Sequence, residues 1–326
     1  MPPAPKYPSF AAVTMLVLGL LIVLARASQA MFEGEETGED GESADAESRG
    51  ETPESQSGVP ATGAARVERH RDTGRTRAER RTADVLGEVS DDDSWNDGTS
   101  DDDSPWGENE AETDARRARD RYEDGELEFS TGALLVNVAL SQGVFGAAIV
   151  GAAWLADVPP VALGVASGDP WSVGAPAVGV GVVLGLALYA ANELSSVVLD
   201  ATGVEYSEGL RESLAPDTLR GWVVLLGVVL PVIAGFEELL FRAALVGAFA
   251  AGFGVSPWLL AVFSTVAFAI GHGAQGPGGV AVTGLLGFAL AAAFVLTESL
   301  LVVVVAHYLV NALEFGVHEG LDIEWT

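Results

Sequence analysis

Cysteine is absent from all 326 residues. That excludes disulfides, thiolate metal sites and a cysteine nucleophile. Lysine is almost absent too: Lys6 is the only one, and 17 basic residues face 46 acidic ones for a net charge of −29. Such acidity repels phosphate backbones and argues against a nucleic-acid partner. An anionic, lysine-poor surface stays hydrated at high salt, so the composition points to a salt-loving microbe such as a halophilic archaeon. After residue 132 the basic residues dwindle to Arg211, Arg220 and Arg242.

Apolar length is what the chain has in place of charge balance. Mean hydropathy is +0.31 although the whole stretch 31–128 is polar. Residues 9–25 form a first apolar run, about 25 Å long at 1.5 Å per residue, against a bilayer core of roughly 30 Å. Small residues follow at Ala27-Ser28-Gln29-Ala30, spaced as a signal peptidase requires, so residues 1–30 read as a hydrophobic anchor or a cleaved signal. Residues 31–128 lack the apolar content to offset chain entropy and are expected to be a disordered acidic linker. Within it, SDDDSW at 90–95 is echoed by SDDDSPW at 100–106, and seven arginines lie between Arg66 and Arg81. Those arginines read as a flexible, charge-balanced tether or as a patch for lipid headgroups or a partner. Residues 116–128 are expected to form a short surface helix.

Residues 129–326 read as a membrane domain, with spans near 132–156, 176–199, 221–249, 257–271, 279–297 and 300–315. The expected fold is all-α: a polytopic transmembrane bundle of about six helices plus the N-terminal one. Abundant Gly and Ala suit close helix packing in lipid. Pro231 is expected to kink its span, and Ser256-Pro257 to start the next one as N-cap and first-turn proline. The loop 200–220 carries Arg211 and Arg220, whereas 157–175 and 250–256 carry no basic residue. The positive-inside rule then places that loop, the tether and the C-terminus in the cytoplasm.

Charge inside an apolar span costs at least about 2.5–3.5 kcal/mol per group and marks a site or a cavity. Gly235-Phe236-Glu237-Glu238-Leu239-Leu240-Phe241-Arg242 puts three charges in one span. Glu238 and Arg242 share a helix face at i, i+4 and should pair; Glu237 points about 100° away and has no local partner. Two further spans carry Phe268-x-x-x-His272 and His307-x-x-x-Asn311. Asn192-Glu193 reads as a cavity lining or a partner for Arg242, Glu298 and Glu314 as solvated, and His70 and His318 as lying outside the membrane.

Peptide hydrolysis needs a base for water and donors aimed at the oxyanion, and these polar residues supply both. The order EExxxR, FxxxH, HxxxN on successive spans resembles the CPBP family (CAAX proteases and bacteriocin-processing enzymes, also called the Abi family), which includes type II CAAX prenyl endopeptidases. The resemblance covers about residues 221–315, including FSTVAFAIGH at 263–272. It implies an intramembrane endopeptidase opening toward the cytoplasm of the cell membrane and acting on membrane-associated or lipidated, CAAX-type substrates. Glu237 and His272 would activate the attacking water, His307 and Asn311 would stabilise the oxyanion, and Glu238, Arg242 and Phe268 would support them. Family members are often called metalloproteases, and Glu237, His272 and His307 could hold zinc in an open site; no HExxH is present, and a metal-independent mechanism is the favoured expectation. The rival readings are a non-catalytic membrane scaffold or immunity protein built on the same bundle, and a proton-coupled transporter, for which no internal repeat is visible.

Overall fold

The structure, a computed structural model, describes residues 4–45, 131–204, 206, 207, 209–321 and 323. Residues 1–41 with 128–326 form one compact unit and residues 42–127 a second. The second falls almost wholly outside the described residues. So do the tandem echo, the arginines of 66–81 and the helix expected over 116–128.

The described residues are mostly helical and contain no strand. The long elements are α1 (Tyr7–Asp45), α2 (Thr131–Leu155), α3 (Ala175–Thr202), α4 (Leu219–Phe253), α5 (Pro257–Gly271), α6 (Gly276–Thr297) and α7 (Leu300–Glu314). Six helices are long and apolar enough to cross a membrane, the N-terminal one among them; α5, at 15 residues, is shorter. Large apolar side chains such as Trp154, Val183 and Leu285 face outward, as they do where the surrounding solvent is hydrocarbon.

The N-terminal run is not a loose leader. Phe10, Thr14, Val17 and Leu18 are buried, a spacing that lines one helical face. Phe10, Val17 and Leu18 pack with Ile149 of α2, with Phe241 and Leu245 of α4, and with Phe268 of α5. The Lys6 amide also donates to the Ala156 carbonyl at 2.7 Å. These contacts pack α1 against the bundle in this structure. The helix also continues to Asp45, into the stretch expected to be disordered. A nucleated apolar helix propagates cheaply, and the glutamates of that stretch are good helix formers.

At the centre stands α4, which contributes to every apolar cluster of the bundle. Thr218 caps it by accepting from the Gly221 amide at 3.1 Å. Pro231 sits in the first turn of Leu230–Glu238, immediately after a wide i→i+5 turn over Leu225–Val229. The missing proline N–H is thus absorbed by a local change of helix type while the helix runs on. A second wide stretch, Leu239–Ala248, follows the two glutamates and contains Arg242. Ser256 and Pro257 do begin α5, but the Ser256 side chain makes no capping bond. Ser299 caps α7, accepting from the Val302 amide at 3.2 Å while its hydroxyl donates to the Ser172 carbonyl.

Candidate active site

Glu238 and Arg242 are fully buried and bonded at 2.7 Å, as their i, i+4 spacing predicts. The same carboxylate oxygen, Glu238 Oε1, also meets His307 Nδ1 at 2.7 Å. That contact joins α4 to α7 across 69 residues of chain. Glu237, 12% exposed, brings Oε2 to 3.7 Å from His307 Nε2. One imidazole therefore lies between the two glutamates, its two nitrogens facing different carboxylates.

Arg242 also reaches the third side of the site. Its NH2 donates to the Gly287 carbonyl of α6 at 2.9 Å, and its guanidinium lies 4.7 Å from the Phe268 ring centroid. Phe268 stands edge-on to Phe241, with centroids 5.0 Å apart. Its ring centroid is 4.4 Å from that of His272. Buried cation–π contacts of this kind are worth up to about 2 kcal/mol. Phe268 thus touches both Arg242 and His272, and its ring centroid is also 6.2 Å from that of His307.

His272 takes its orientation from the end of α5. The helix stops there, and the His272 amide bonds the Ala269 carbonyl instead of the one four residues back. The Phe268 carbonyl, left over by that shortening, is bonded by His272 Nδ1 at 2.8 Å. A carbonyl can only accept, so Nδ1 carries the hydrogen and the lone pair is on Nε2. Asn311 lies one turn beyond His307 on α7, partly buried and without a side-chain hydrogen bond among the described residues.

The structure thus gathers Glu237, Glu238, Arg242 and His307 directly, connects His272 through Phe268, and leaves Asn311 beside them on α7. Glu237, His272 and His307 do not bring three ligand atoms within 4.8 Å of one another. His272 Nδ1 is engaged by the Phe268 carbonyl, which leaves Nε2 as its free ring nitrogen. Glu238 is the residue whose role sequence spacing understated. Periodicity finds its partner on the same helix but carries no signal for His307.

Two expectations are corrected. Asn192 and Glu193 neither line this site nor meet Arg242: Asn192 Nδ2 donates to Glu314 Oε1 at 2.5 Å, and Glu193 Oε1 lies 2.9 Å from His318 Nε2. Glu314 is consequently tied down rather than solvated, and His318 sits in the helical extension of α7. A cavity of about 370 Å³ between Tyr7, Val246, Pro257, Phe294 and Glu298 contains none of the motif residues.

α3 sets the position of α7. A Cβ built on Gly181 would lie 2.7 Å from the Val302 carbonyl oxygen, and one on Gly185 would lie 2.9 Å from that of Ala306, the neighbour of His307. Gly181 and Gly185 thus form a small-xxx-small contact that lets the backbones touch. Gly185→Leu is expected to push α7 away at this level. It should cost about 1–3 kcal/mol as overpacking, measurable as a lower unfolding midpoint in detergent.

Residues 219–313 match the family described as type II CAAX prenyl endopeptidase, Rce1-like. The match covers α4 through α7 to within a residue of the α7 end and includes all three polar motifs. No curated protein matches the chain, and neither does any solved structure. The apolar helices mark a multi-pass membrane protein, and residues 219–313 are what is similar to the CAAX-protease family.

Proposed function

We propose that this chain, whose residues 219–313 belong to the Rce1-like type II CAAX prenyl endopeptidase family, hydrolyses peptide bonds of membrane-associated proteins, CAAX-type prenylated ones among them, with water activated by Glu237 and His272. The observation that carries the reading is the buried junction of α4 and α7, where His307 lies between Glu237 and Glu238.

The chemistry follows from the side chains. Water sits between the Glu237 carboxylate and the lone pair on His272 Nε2. As it attacks the scissile carbonyl, Glu237 takes its proton and later returns it to the departing amine. The negative charge that develops on the carbonyl oxygen is met by the Asn311 amide and by His307 Nε2–H. The buried Arg242 guanidinium offsets part of the negative charge of the two carboxylates, as a site at membrane depth requires. On the orientation given by the basic loop residues, the site opens to the cytoplasmic face of the cell membrane.

The test uses purified full-length protein in lipid and three peptides of one sequence: farnesylated at a C-terminal CAAX box, unlipidated, and anchored by a palmitoyl chain. Mass spectrometry of new C-termini reads the cleavage. Cleavage of either lipidated peptide well above the unlipidated one is expected. Failure on all three, with a Glu237→Gln chain still complementing a deletion strain, would favour the non-catalytic scaffold.

A further inference from the structure

A second polar cluster lies farther along α7, past Asn311. Helix α7 widens over Phe315–Gly320 into turns bonded i→i+5, which bring Glu314, His318 and Glu319 to one side. From α3 come Asn192 and Glu193; from the short helix Gly209–Leu214 comes Arg211. Arg211 bonds Glu314 Oε2 at 3.1 Å and Glu319 Oε1 at 3.2 Å. His318 Nε2 lies 2.9 Å from Glu193 Oε1 and 3.8 Å from Glu314 Oε2. All five ionisable side chains are only 13–16% exposed.

Two independent features point to a cation. The first is spacing. Ligands 2.0–2.1 Å from a tetrahedral ion are about 3.3 Å apart, and the separations of 2.9 and 3.8 Å around His318 Nε2 bracket that distance. Glu193, Glu314 and His318 are the group of three whose ligand atoms all lie within 4.8 Å among the described residues. The second is charge. Among the described residues, three carboxylates face one guanidinium in a partly buried place at the end of membrane-spanning helices, a costly excess of negative charge. One divalent cation would cancel it.

We propose that Glu193, Glu314 and His318 form a divalent-cation site that ties α3 to α7, separate from the catalytic centre. An imidazole with two carboxylates suits zinc, cobalt or manganese. On binding, His318 Nε2 and Glu193 Oε1 exchange their mutual hydrogen bond for the ion, the imidazole keeping its hydrogen on Nδ1. Glu314 turns Oε2 from Arg211 to the ion, while Asn192 still donates to Oε1 and holds the carboxylate in place. Arg211 keeps Glu319. The site would steady the helix that carries His307 and Asn311, so a chelator effect on this protein would arise here and not at Glu237.

The experiment titrates Co²⁺ into detergent-purified, metal-stripped full-length protein, followed by visible absorption and equilibrium dialysis. The expected result is one equivalent bound by the wild type and equally by Glu237→Gln, with affinity weakened more than about 100-fold by His318→Ala and by the isosteric Glu193→Gln, since outer-shell partners alone are worth 10–100-fold. Helicity by circular dichroism checks that both variants fold. No binding by the wild type overturns the proposal and leaves an ion-pair network. Binding that survives both ligand variants overturns it too, as does binding lost in Glu237→Gln but kept in His318→Ala, which would put the metal at the catalytic centre. Binding does not require turnover, so this result stands apart from whether the chain is a protease.

Discussion

Glu237→Gln is expected to slow peptide cleavage by about 10²–10⁴-fold, the usual worth of a positioned general base, while leaving the fold intact. The substitution exchanges one oxygen for an amide nitrogen of the same shape. Glu237 is the partly exposed member of the pair, and its contact with His307 is a long 3.7 Å. Loss of that contact should change stability by less than about 1 kcal/mol. His272→Ala is expected to lose a similar factor in rate for a different reason: it removes the Nε2 lone pair. It also strips the hydrogen bond from the Phe268 carbonyl, which adds a destabilisation of about 1–3 kcal/mol if that carbonyl stays dry. The two effects separate when initial rates on a lipidated peptide are compared with thermal unfolding in the same detergent. Wild-type rates in either variant would remove the proposed activation of water.

Much of the bundle is legible in the sequence because hydrophobic runs of membrane length have few alternatives in lipid. Six spans and an N-terminal apolar helix are expected, the described residues hold seven apolar helices, and the boundaries of Pro257–Gly271 agree to the residue. The local pair Glu238–Arg242 is equally legible, since it depends only on helical spacing. What pattern reasoning missed is contact between distant segments. The bond from Glu238 to His307 joins residues 69 apart, and that from Glu193 to His318 joins residues 125 apart; neither leaves a periodic trace. The same limit explains the N-terminal helix. An apolar run flanked by small residues has the composition of a signal, and only the packing of Phe10, Val17 and Leu18 against α2, α4 and α5 makes it part of the bundle. Changes of helix type are also invisible to a fixed period of 3.6, so the wide turn before Pro231 has no trace in the sequence pattern.

The site's architecture rests on an arrangement in which one oxygen atom serves two helices. Glu238 Oε1 accepts from Arg242 and faces His307 Nδ1, each at 2.7 Å, in a place with no solvent exposure. That atom links the structural role of the EExxxR motif to its chemical one.

Glu238→Ala should therefore be the most destabilising single substitution in the bundle. It leaves the Arg242 guanidinium, 0% exposed, without its carboxylate, and breaking a buried pair from one side costs about 3–5 kcal/mol. Replacing both partners by apolar residues of similar size, as in Glu238→Leu with Arg242→Met, should recover most of that loss, because no uncompensated charge remains. The Gly287 carbonyl, which loses its donor, accounts for about 1–3 kcal/mol that is not recovered. Activity should not return with stability, since in the double variant His307 still has no carboxylate at Nδ1 and loses its orientation. Unfolding titrations in mixed micelles, run beside cleavage assays on the same three proteins, read the two properties independently. A Glu238→Ala chain as stable as the wild type would show that the buried pair does not hold the bundle together. A double variant that cleaves at the wild-type rate would show that Glu238 does not govern His307.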